Sequence, residues 1–238
     1  MLLLNKFYTT SINLDDIFGL YSFVRKGKSG SVIKNTLDII ATNVVLNSEI
    51  ARLTLTIPNC GGFSNVSEAF SIELITSLFN ATNFVTERQV QYKYQCKKID
   101  FLCTIDGNQV GVSVSRSAQY KELCDEQGKY TFLIAYRQIR KKLDGLLAAR
   151  AGITPTHSYD RSVLHIFCEN NFIANLLINA FPQAAKDMQV EDEISLLITI
   201  CGNRKLYDDD LSIFGDIIRP TPTNLKKIGL IYHTGGNS

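Results

Sequence analysis

Two residues, Asp106-Gly107, constrain this chain more than any others. An Asp-Gly pair between alternating runs is the strongest short-range signal for a two-residue β-hairpin. Both turn positions need positive φ, which Asp tolerates and Gly adopts freely. Lys97 to Ile105 reads as the strand ahead of it, and Gln109-Val110-Gly111-Val112-Ser113-Val114-Ser115 alternates strictly behind it. With 106 and 107 central, the register follows by counting: Ile105 faces Asn108, Cys103 faces Val110, Phe101 faces Val112 and Asp100 faces Ser113. Opposed Cβ atoms then lie about 4.5–5.5 Å apart. One face collects Ile99, Phe101, Cys103 and Ile105 against Val110, Val112 and Val114, an apolar set that belongs in a core. The other gathers Lys98, Asp100, Ser113 and Ser115, with Lys98 across from Ser115.

Around this hairpin the spacing predicts further elements. Leu14 to Val24 and Asn35 to Leu46 carry helical spacing, Arg52 to Ile57 alternates as a strand, and Pro58 to Ser64 is a turn. A helix of about three turns follows, with Glu68, Ala69, Phe70, Ile72, Leu74, Ile75, Leu78 and Phe79 at helical spacing. Asn83 to Tyr94 is a strand candidate that completes an antiparallel meander with the hairpin. Tyr130 to Arg150 is a long amphipathic helix, basic away from its apolar stripe. Val163 to Cys168 and Ile194 to Cys201 read as buried strands joined through a helix over Phe172 to Ala185, which predicts a parallel crossover.

The run Lys98-Ile99-Asp100 through Val112-Ser113-Val114-Ser115-Arg116 resembles the core hairpin of the PD-(D/E)xK restriction-endonuclease-like superfamily. There an Asp opens one strand, a tight turn follows, and the next strand carries (D/E)-x-K. The order of elements from about Ser64 to Cys201 is also similar to its αβββαβ core. The resemblance implies an α/β fold with a mixed central sheet flanked by helices, and a metal-dependent endonuclease hydrolysing phosphodiester bonds of DNA with Mg²⁺ or Mn²⁺. In such a centre acidic oxygens hold the metal, the metal activates water, and a lysine orients or deprotonates it. Asp100 matches the strand Asp. Glu73 matches the acid found on the preceding helix of many members, so Asp100 and Glu73 are the expected metal ligands. Ser113 stands where the second acid belongs and Ser115 where the lysine belongs, and a hydroxyl is a poorer metal ligand than a carboxylate. Lys98 is the expected lysine substitute, with Ser113 holding a metal-bound water. Glu122 and Glu126 are weaker candidates for the missing acid. The double departure at 113 and 115 equally suits an inactive nuclease-like module that binds nucleic acid or a protein partner.

Bland alternatives stand beside each assignment. Asp100 with Lys98 could be a strand-edge ion pair, Glu73 a solvated helix carboxylate, and His165 a satisfied core histidine. Arg116, Arg140, Lys141 and Lys142, with Arg25, Lys26 and Lys28 from a glycine-punctuated loop, are the candidate phosphate contacts; a solvated surface is the plain reading of each. Gly27-Lys28-Ser29 lacks the first glycine of a phosphate-binding loop, since position 22 is Ser22. No GxSxG elbow supports a Ser-His-Asp triad.

A net charge of +2 over 238 residues excludes a polybasic binder, so any nucleic-acid site must be local. Six cysteines without a CxxC pair read as buried thiols in a reducing compartment. The apolar start Met1-Leu2-Leu3-Leu4 is too short for a signal peptide or a membrane span. The expectation is therefore an intracellular protein, nuclear or cytoplasmic, not secreted and without a membrane partner, with a homodimer left open. Residues 1–60 are expected as an N-terminal extension or capping subdomain, 61–218 as the nuclease-like core, and 219–238 as a turn-rich tail.

Overall fold

The computed structural model describes residues 1–25, 29–56, 64–119, 125–126 and 128–218. An eight-stranded mixed sheet runs through it: β1 (Leu2–Leu4), β2 (Tyr8–Ile12), β3 (Val32–Ile39), β4 (Thr82–Thr86), β5 (Phe101–Ile105), β6 (Asn108–Ser117), β7 (Arg161–Cys168) and β8 (Ile194–Ile200), in the order β1-β2-β3-β8-β7-β6-β5-β4. β3, β8, β7 and β6 are mutually parallel, and antiparallel ladders extend the sheet on both sides. The expected crossover is the helix α5 (Asn171–Asp187) between β7 and β8. Their strands are buried on both faces, which is why they read as continuous apolar runs.

Helices cover both faces. α1 (Leu14–Val24), α2 (Glu49–Thr54), α3 (Asn65–Phe79) and α6 (Arg204–Tyr207) share one apolar cluster with Phe101, Val112, Val114, Val163 and Leu197. α4 (Phe132–Gly152) and α5 pack on the other face against Leu102, Leu164, Ile166, Leu196 and Ile198. Helix, three strands, helix, strand from α3 to β7 is the order expected from the sequence, and the first three strands lengthen the same sheet through β3 on β8.

Two local expectations are corrected. Residues 32–39 form a strand, whereas the spacing predicted a helix over Asn35 to Leu46. Ile33, Asn35 and Leu37 alternate inward, and β2 and β8 pair with the segment on either side. Residues 49–54 form a helix where alternation predicted a strand over Arg52 to Ile57. The Ser48 side chain accepts from the Ala51 N–H and caps it, and tertiary contact with α3 outweighs a six-residue pattern. The third strand of the meander is shorter than read, stopping at Thr86 instead of Tyr94. Lys26, Lys28, Glu122, the turn 58–63 and the tail from 219 lie outside the described residues.

The hairpin forms in the counted register: Phe101 opposite Val112, Cys103 opposite Val110 and Ile105 opposite Asn108. Asp106 and Gly107 have φ of 50° and 77°, as a type I′ turn requires. Four described cysteines, Cys96, Cys103, Cys168 and Cys201, are free, and the last three are buried. No helix among the described residues is long and apolar enough to cross a membrane.

Candidate functional site

β5 ends at its pairing of Phe101 with Val112, whereas β6 continues to Ser117 beside β7. Beyond Val112 the next β6 peptide pointing toward β5 is that of Val114, and no strand is there to meet it. Side chains take the place of a strand. The Val114 N–H donates to Asp100 Oδ2 at 2.6 Å, and Lys142 Nζ donates to the Val114 carbonyl oxygen at 3.3 Å. Asp100 is anchored in turn: its own N–H donates to Val112 O at 3.0 Å, and its carbonyl accepts from Glu87 N–H at 2.9 Å. Ser113 is buried, and its hydroxyl favours the Asp100 anion. Ser115 follows half-buried on the same face.

Helix geometry explains how Lys142 reaches this peptide. α4 runs antiparallel to β6, so one helical turn of four residues, about 6 Å, matches two strand residues, about 6.6 Å. Gln138 Nε2 accordingly donates to Arg116 O, and Lys142, one turn on, to Val114 O. Both flank the buried stripe of Ala135, Ile139, Leu143 and Leu146.

The electrostatics are those of charges at the edge of a core. Burial pushes the Asp100 carboxyl above its ordinary range, against the Val114 N–H, the Lys142 ammonium and the Ser113 hydroxyl, which favour the anion. Burial pulls Lys142 below its ordinary value. The Asp100 carboxylate opposes that pull, Lys141 adds to it, Glu68 opposes it and Lys97 adds to it. Four charged groups thus act on the Lys142 ammonium: Asp100, Lys141, Glu68 and Lys97. Lys97, Lys98 and Lys141 are exposed, whereas Asp100 and Lys142 are half-buried.

Glu73 is not part of this assembly. Both its carboxylate oxygens are occupied in the middle of α3: Tyr8 Oη and the Asn47 N–H donate to Oε1, and the Ser48 N–H donates to Oε2 at 2.8 Å. The residue is fully buried and ties β2 and the start of α2 to α3. Glu68, in the first turn of α3, is the helix acid that the Lys142 ammonium senses; it accepts from the Ser64 hydroxyl. Lys98 stands exposed in the irregular segment before β5, outside the ladder, so it does not oppose Ser115.

The other candidates divide by use. Arg116 turns to the α3 face, donating to Leu206 O at 3.3 Å and Tyr207 O at 2.9 Å beside Asp209 at 3.8 Å, and closes the end of α6. Arg25 pairs with Asp106 in the hairpin turn. Arg140 is exposed over the Tyr136 ring at 5.9 Å. Glu126 is exposed in the connection before α4. His165 is a satisfied core histidine, between Ser71 Oγ and Thr199 Oγ1 at 2.7 Å each, and burial pushes it down to about 3.

The oxygens at the splay are the Asp100 carboxylate, the Ser113 hydroxyl and the Val114 carbonyl, hard donors of the kind Mg²⁺ takes. They do not fit a resident divalent ion as they stand, because a lysine ammonium holds the carbonyl beside the carboxylate. Among the described residues no three His, Cys, Asp or Glu side chains converge on a metal-sized space.

No family model matches this chain, and no solved structure matches it. It is 27% identical over 142 residues, 59% of its length, to the AAC-rich mRNA clone AAC4 protein of Dictyostelium discoideum. The match spans 20% of that protein, about a fifth of the curated relative, whose name states no activity.

Proposed function

We propose that this chain is a restriction-endonuclease-like module that binds nucleic acid through the splayed end of its hairpin and does not hydrolyse it. The observation that carries this reading is the lysine group: Lys97 and Lys141, both exposed, each act on the Lys142 ammonium, which is held on the Val114 carbonyl, in a chain whose net charge is only +2. Positive charge gathered at one mouth, with Lys98 beside it, is complementary to closely spaced phosphates. The module lacks the second strand carboxylate and sets a neutral serine in its place.

Oligonucleotide binding followed by fluorescence anisotropy tests the reading. With about three phosphate contacts, affinity should fall roughly 40-fold between about 50 and 200 mM salt. A Lys97→Glu/Lys98→Glu/Lys141→Glu variant should lose most of the affinity and flatten the slope. Absence of any salt-dependent binding would contradict it.

Hydrolysis is the second reading, favoured by one specific observation: two carboxylates, Asp100 and Glu68, stand in reach of one lysine. It requires Lys142 to leave the Val114 carbonyl and a Mg²⁺ or Mn²⁺ ion to take the oxygens. Cleavage of DNA in Mg²⁺ that Asp100→Asn abolishes would select it over binding alone.

A further inference from the structure

We propose that Lys142 is the built-in cation of this site: its ammonium closes a latent divalent-metal position formed by the Val114 carbonyl and the Asp100 carboxylate, and makes the site independent of metal. The inference deepens the nucleic-acid reading and rests on it only for its second readout.

The splay leaves one β6 residue without a strand partner, and the Val114 N–H and C=O would otherwise be costly orphans. Asp100 satisfies the N–H and Lys142 the C=O, so the two backbone polar groups of one residue are capped by an anion and a cation from different elements. The Asp100 carboxylate and the Val114 carbonyl, engaged at the same residue of β6, are oxygens of the kind a hard cation takes. Here the protein supplies that cation covalently. A tethered ammonium offers three donors and one fixed charge, so it can cap the carbonyl and balance Asp100. It cannot share the oxygens with a divalent ion without close like-charge contact. Lys142 is set there by its position one turn after Gln138 on a helix packed along β6, not by a flexible loop. Truncating it should expose an oxygen-lined position next to Asp100 and within reach of Glu68.

The test is thermal unfolding with MnCl₂ alone as probe, on the wild type, Lys142→Ala and Lys142→Ala/Asp100→Asn. Wild-type Tm should not move with millimolar Mn²⁺. The Lys142→Ala variant should gain about 5 °C or more when Mn²⁺ far exceeds its Kd, and the double variant should lose that gain. An Asp100-dependent Mn²⁺ shift in the wild type would overturn the inference, as would a Lys142→Ala protein that gains nothing. Lys142→Met, which keeps the apolar stem, makes the same comparison if the alanine variant does not unfold cooperatively.

A second readout separates this inference from the function it deepens. Wild-type affinity for an oligonucleotide should be the same within about threefold in EDTA and in MgCl₂ at matched ionic strength. Binding that needs Mg²⁺ overturns the metal independence and leaves the nucleic-acid reading standing. No binding in either buffer removes that reading, and the Mn²⁺ comparison still decides the role of Lys142.

Discussion

Glu73 and His165 are buried polar side chains whose work is internal, and each makes a measurable prediction. Removing the Glu73 carboxylate leaves Tyr8 Oη and the Asn47 and Ser48 N–H groups without their acceptor. Glu73→Ala should therefore cost about 3 kcal/mol or more in urea unfolding; a loss below about 0.5 kcal/mol would contradict the clasp. His165 titrates near 3 in the folded protein and near 6.5 when unfolded. Its folded value is depressed, so above pH 6.5 both states are neutral and the residue adds no pH dependence. As pH falls below that, the unfolded chain takes up a proton that the folded chain refuses. Stability should drop by up to about 1.4 kcal/mol per pH unit from this residue, down to about pH 3. A His165→Gln variant should lose that component when unfolding is measured across pH. The candidate site was half legible at this scale. The pairing of Phe101 to Ile105 with Asn108 to Val112 followed from counting, because a two-residue turn fixes register; the ladder stops there, and Asp100 meets Val112 and Val114 rather than facing Ser113 in it. Lys142 did not follow, since it reads as one cation among Arg140 and Lys141; its offset from Ile139 and Leu143, bordering the apolar stripe, was the available signal. Glu73 looked like the site acid because any carboxylate on α3 would satisfy the pattern, and only the direction of the helix places Glu68 at the hairpin's open end.

At the level of elements, the hairpin carries the site and two glycines test how it is built. Gly107 occupies the left-handed turn with φ of 77° and open space around it, so Gly107→Ala should cost about 1 kcal/mol for backbone alone. A Cβ on Gly111 would lie 2.5 Å from the Tyr159 ring, and Gly111→Ala should cost about 1–3 kcal/mol through overpacking. Urea unfolding should rank Gly111→Ala as the more damaging; the reverse order would contradict the packing of Tyr159 on β6. Elements with a strong local signal were readable: the Asp-Gly turn, the long α4, and the apolar β7 and β8. β3 and α2 were not, because their state is set by partners far away in sequence. Asn35 sits at 1% exposure between β2 and β8, and nothing local announces that a polar residue there belongs to a sheet interior.

Across the described residues, eight strands in one sheet place α3 on one face and α4 on the other, and where the β5–β6 ladder stops and β6 continues, Glu68 of α3 acts on Lys142 of α4. That opening brings Glu68, Asp100 and Lys142 from three separate elements into one electrostatic group. The first three strands join through β3 on β8, and Glu73 fastens β2 to α3, so the N-terminal strands and the α3–β7 core should unfold together. Urea transitions of wild type followed by tyrosine fluorescence and by far-ultraviolet circular dichroism should coincide; two separated transitions would contradict a single cooperative sheet. The most direct test of the nucleic-acid reading is the salt dependence of oligonucleotide affinity in EDTA, wild type against the Lys97→Glu/Lys98→Glu/Lys141→Glu variant. We expect wild-type binding with a steep slope that the triple variant largely abolishes; equal affinities for the two proteins, or no binding by the wild type, would contradict the claim that this lysine-rimmed opening holds a phosphodiester backbone.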